Sequence, residues 1–187
     1  MRDRSRLSLT SVAHEREHCP VPGLLTTFCW SGSEALWWAG VLPGGSGRTV
    51  VGPQGRLDLT GPGSLLHPSA TFNIRVRGPY TVSGEVGGDT IGGTVDQPGT
   101  RGFRGITAVS RERKKVRLVL EDGRAWWLRA KGASGLEVSR PDGTPTGWHS
   151  GARTVQLDAG AAPVDHLIAL LLLTSIGRDE LLVVGTL

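Results

Sequence analysis

His14-Glu15-Arg16-Glu17-His18 is a literal H-E-x-x-H match. On a helix this spacing sets two imidazoles one turn apart, with Glu15 placed as general base for a zinc-bound water. Catalytic zinc needs a third protein ligand, and Glu34 is the nearby candidate. The surroundings argue against a metal centre. Arg16 and Glu17 are charged where a scaffold helix would pack, and Pro20 ends any helix two residues later. A solvated polar stretch is the expectation, with a small zinc hydrolase on His14, His18 and Glu34 as the alternative.

The second constellation is basic. Residues 101–131 hold ten Lys and Arg against Glu112, Glu121 and Asp122, a net charge of +7. Its densest part, Arg111, Arg113, Lys114, Lys115 and Arg117, is the candidate anion-binding set. Such a cluster near an anionic lipid surface contributes about 1 kcal/mol per basic residue. Nucleic acid would be met through phosphates, but modules of that kind interleave exposed aromatics for stacking. Trp126 and Trp127 are adjacent, so in a strand they face opposite ways and one belongs to the core. Nucleic acid is therefore disfavoured against an anionic phospholipid or a protein partner. The Gly40–Thr49 stretch lacks the Lys of a phosphate loop, and Gly132-Ala133-Ser134-Gly135 is one residue short of a nucleophile elbow. His67, His149 and His166 stand alone and read as packing residues. No cofactor is expected, and the balance of the sequence leans away from an enzyme.

These residues need elements to hold them. The chain has 187 residues with 28 Gly and 11 Pro, which suits one domain of short strands and tight turns. Its 21 basic residues are 18 Arg and 3 Lys, against 17 acidic ones. Cys19 and Cys29 form no disulfide framework, and the N-terminus carries no apolar signal run, so a cytoplasmic location is expected, with peripheral membrane contact. Residues 1–22, charged and closed by Pro20 and Pro22, read as a flexible arm ahead of a domain spanning 23–187.

Leu24–Trp30 is rich in strand formers, and Glu34–Leu42 fits strand or short helix. Alternation predicts strands at Phe72–Arg77, Tyr80–Val86 and Thr90–Val95, and again at Val116–Leu120, Ala125–Arg129, Leu136–Arg140 and near Thr146. Asp122-Gly123 and Asp142-Gly143 mark hairpins, with φ > 0 expected at both central turn residues. The last element differs. Pro163 and Asp165 open a helix of about 163–176, and Leu167–Leu173 gives it no polar face. An apolar run of that length is short of the roughly 20 residues a bilayer span needs, so burial in protein is expected and no transmembrane span.

Hairpin turns such as Glu121-Asp122-Gly123-Arg124 and Arg140-Pro141-Asp142-Gly143-Thr144, followed by the helix Pro163–Leu173, form an order of parts that resembles the tubby C-terminal-like superfamily. That superfamily includes LURP-one-related and phospholipid-scramblase-like proteins, and the resemblance covers residues 72–187. It implies a closed or nearly closed antiparallel β-barrel, mainly β, with a buried apolar C-terminal helix through its centre. It also implies a non-enzymatic binding or scaffold domain. The acidic calcium segment of scramblase-like proteins is missing here, since Val155–Gly160 has a single carboxylate. No binding residue is carried across. A structural subunit docking through its N-terminal arm is the third expectation.

Overall fold

The computed structural model of the protein describes residues 5–12, 21, 24, 27–32, 35–43, 47–61, 80–96, 115–131, 135–150 and 154–176. Twelve strands follow in chain order: β1 Arg6–Val12, β2 Thr27–Ser31, β3 Leu36–Val41, β4 Gly47–Gly52, β5 Gly55–Thr60, β6 Tyr80–Val86, β7 Asp89–Asp96, β8 Lys115–Leu120, β9 Ala125–Lys131, β10 Gly135–Ser139, β11 Pro145–Ser150 and β12 Thr154–Asp158. One helix, α1, spans Pro163–Ser175. Each strand pairs antiparallel with its neighbours in sequence, and β1 pairs with β12, so the sheet closes into a barrel. The expected mainly β barrel with an apolar C-terminal helix is the observed fold.

Alternation sorts the side chains between lumen and exterior. Val116, Leu118 and Leu120 of β8 are buried while Lys115, Arg117 and Val119 between them are half-buried. Leu57 and Leu59 of β5 point inward at 0% exposure, and Arg56 and Asp58 form an ion pair outside at 2.8 Å. A twelve-strand lumen is wider than facing side chains alone can fill, since about eight strands already reach that limit. The helix fills the difference. Its 13 residues rise about 20 Å, and a six-residue strand spans roughly the same length. Ile168 to Leu172 are each 0% exposed, and α1 packs against β4 and β5 as well as β9 to β12. Gly147 lets β11 approach the helix, because a Cβ there would lie 2.7 Å from that of Ala169.

Two expectations change. Part of the proposed 1–22 arm, Arg6–Val12, is β1, the strand that closes the barrel between β12 and β2. Its inward Leu9 is fully buried and pairs with Val155, with polar Ser8 and Thr10 outside. A two-leucine alternation of this kind is masked by the Arg-rich composition around it. The Asp-Gly turns also differ. Gly123 and Gly143 have φ of +87° and +83°, but no non-glycine residue has positive φ among the described residues. Gly123 and Gly143 N–H groups donate to Leu120 and Arg140 carbonyls, at 3.0 and 2.9 Å. These are three-residue loops with glycine in the left-handed region. Asp122 and Asp142 stabilise them by accepting the Arg124 and Thr144 N–H groups at 2.9 and 2.8 Å. The two-residue turn with both φ values positive lies elsewhere, at Gly87-Gly88. Glu34–Leu42 resolves as strand over Leu36–Val41, the β4–β5 hairpin is an addition, and the Phe72–Arg77 strand lies outside the described residues.

Candidate functional site

The exterior of β8 to β12 and β1 carries one continuous row of cross-strand neighbours. Lys115 faces Arg129, Arg129 faces Glu137, Glu137 faces Trp148, Trp148 faces Gln156, and Gln156 faces Ser8. Arg117 faces Trp127 beside the start of that row. Trp126 is 1% exposed in the lumen and Trp127 lies half-buried outside, as strand alternation requires. Cations stand over both outer indoles. Lys115 Nζ and the Arg117 guanidinium lie 5.8 and 5.9 Å from Trp127, and the Arg6 guanidinium lies 4.8 Å from Trp148. At these distances the ring quadrupole attracts each cation and holds its stem along the sheet.

Glu137 is the anionic anchor of the row. It is only 2% exposed, covered by its neighbours, and pairs with Arg129 Nη2 at 2.5 Å and with Lys131. Burial pushes its carboxyl up, but hydrogen bonds from Lys131 and Arg129 outweigh burial and hold it below the ordinary glutamate value. Arg117 reaches Asp96 at 3.4 Å. Three cations, Arg117, Arg129 and Lys131, thus meet two carboxylates, Asp96 and Glu137, with Lys115 beside them over Trp127. The side chains of Arg117, Arg129 and Lys131 keep 42%, 44% and 63% of their exposure, so part of each still faces water.

Comparison with protein-family models, curated proteins and solved structures gave no match.

Of the predicted anion-binding set, Lys115 and Arg117 stand on the outer face of β8; Arg111, Arg113 and Lys114 lie outside the described residues. His14, His18 and Glu34 also lie outside them. Among the described residues no three His, Cys, Asp or Glu gather as a metal site, and no helix is long and apolar enough to cross a membrane. The strands of this barrel are five to eight residues long, below the 9–11 or so of a membrane-spanning strand. Their outward faces also carry charge at Arg56, Asp58, Arg117 and Arg129, where lipid would demand apolar side chains.

Sequence reasoning passed over two clusters. Asp165, in the first turn of α1, is 0% exposed and accepts from Trp126 Nε1 at 2.8 Å, Ala162 N–H at 2.9 Å and Arg140 through two nitrogens, with Nε at 3.1 Å. The hydrogen bond to Asp165 raises the Arg140 pKa above its ordinary value. This cluster ties the helix start to β9 and to the β10–β11 turn. The second cluster is a cavity at the same mouth of the barrel, where Trp37 and His166 meet edge to face with centroids 6.1 Å apart.

Proposed function

We propose that this chain is a non-enzymatic, tubby-like binding domain that engages an anionic membrane surface through the exterior of β8 and β9. The observation that carries the proposal is the projection of Lys115, Arg117, Arg129 and Lys131 from one face beside Trp127, where the three cations Arg117, Arg129 and Lys131 share the two carboxylates Asp96 and Glu137. In sequence, Arg111, Arg113 and Lys114 lead directly into that face. The helix-filled barrel supports the tubby-like part of the proposal. Because the helix occupies the lumen, partners are met at the exterior or at the mouths. The cations standing over Trp127 favour a charged surface over base stacking, which needs an open ring face.

Vesicle co-sedimentation tests this. The chain is expected to pellet with phosphatidylserine-containing vesicles at about 50 mM salt and to be released as screening shortens toward about 3 Å near 1 M. At about 1 kcal/mol per basic residue, Arg113→Glu, Lys114→Glu and Lys115→Glu together should weaken binding by about 100-fold or more. A chain that ignores these vesicles at low salt overturns the membrane proposal and points to an acidic protein partner.

A further inference from the structure

We infer that the mouth of the barrel beside Trp37 and His166 is a binding site for a small planar aromatic molecule that carries one hydroxyl or N–H donor. It stands apart from the outer basic face and does not depend on it. The reason for the cavity lies in the packing. The helix packs against β4, β5 and β9 to β12. On the β6 to β9 wall the lumen is filled by large side chains such as Tyr80 and Trp126. On the β1 to β3 side Trp37 fills the space in part, and what remains is a cavity of about 190 Å³.

The walls define the occupant. Leu7, Ala35, Trp37 and Leu167 give apolar surface, and Gln54 and His166 are the polar side chains of the lining. A dry cavity of about 150 Å³ lined by apolar side chains takes up benzene, so this volume suits one ring or a compact fused pair. Trp37, 6% exposed, offers an aromatic wall fixed by its edge-to-face contact with His166 at 77° between planes. His166 sets the polarity. Its Nε2 lies 2.7 Å from the Asp158 carbonyl, which only accepts, so Nε2 carries the hydrogen. In the neutral ring Nδ1 is then the acceptor, and it has no hydrogen bond among the described residues. An apolar ring with one donor would pack on Trp37 and give its hydrogen to Nδ1 of His166, a residue of the same lining.

Phenol and toluene are the probes, because they match in size and differ in the donor. Titration calorimetry on the full chain is expected to show phenol binding at or below about 1 mM, the range for a ligand of this size. Phenol should bind about threefold or more tighter than toluene, the worth of one net hydrogen bond, although toluene is the more hydrophobic. His166→Phe keeps a ring against Trp37 but removes the acceptor, and it should reverse that order. Ala35→Leu fills the cavity and should abolish binding of both probes while the thermal melt shows a folded chain. The inference is overturned if neither probe binds at about 5 mM, or if toluene outbinds phenol on the unaltered chain. It is equally overturned if a folded Ala35→Leu protein binds as before.

Discussion

Glu137 and Asp165 are the two buried carboxylates among the described residues, and each is answered by arginine. Asp165 also takes the Trp126 N–H and closes half of a capping arrangement with Ala162. These donors answer the lone pairs of the buried carboxylate, and removing one of the partners would leave a buried polar group unpaired. Sequence reasoning found the Asp165 position through its place in a first helical turn. It missed Arg140 and Trp126, which lie 25 and 39 residues away and come close only when the barrel curls. Glu137 lacked any such signal, because an acidic residue in an alternating strand reads as solvated. Its depressed pKa makes a testable contribution to stability. The unfolded chain binds this proton more readily, so the contribution is complete above the ordinary value of 4.5 and is lost as pH falls below it. Denaturant midpoints measured from pH 7 to pH 3 or so should therefore fall more steeply below about 4.5 for the native chain than for Glu137→Gln. Parallel curves would show that Glu137 gains nothing from Arg129 and Lys131.

At the scale of elements, the strands and the helix were legible wherever alternation or an unbroken apolar run was long. β6, β7, β8 and β9 followed from their period of two, and α1 from Leu167–Leu173. β1 was lost because one buried Leu9 and one half-buried Leu7 are a thin pattern inside a charged segment. The Asp-Gly hairpins were found, but their turn class was not, since Asp at a negative φ followed by a left-handed glycine uses the same two letters. Helix and sheet meet closely at Gly147. A methyl there would lie 2.7 Å from the Ala169 Cβ and 3.1 Å from a Leu157 methyl, both held by backbone or dense packing. Gly147→Ala should cost about 1–3 kcal/mol by overpacking. Ala169→Gly removes the opposing methyl, so the double variant should be about 1 kcal/mol or more stabler than the sum of the two single changes predicts. Additive costs from urea unfolding would mean that β11 and α1 are not in tight contact.

The barrel is inside out relative to a pore: apolar within, charged without, and plugged by α1. Twelve short strands cannot close over their own side chains, so the helix is the core and the sheet is its wall. That relation was legible from one fact, a helix with no wet face in a β-rich chain. The outer stripe from Lys115 to Ser8 and the cavity beside His166 were not, because both are assembled from strands distant in sequence. If α1 is the core, its backbone amides can reach water only when the barrel opens completely. Native-state hydrogen exchange at Leu170, Leu171 and Leu172 tests this in the intact chain. Their exchange free energies should match the global unfolding free energy from urea within about 1 kcal/mol. Exchange at those three amides through an opening several kcal/mol cheaper than global unfolding, with the strands still protected, would contradict a helix that holds the barrel together.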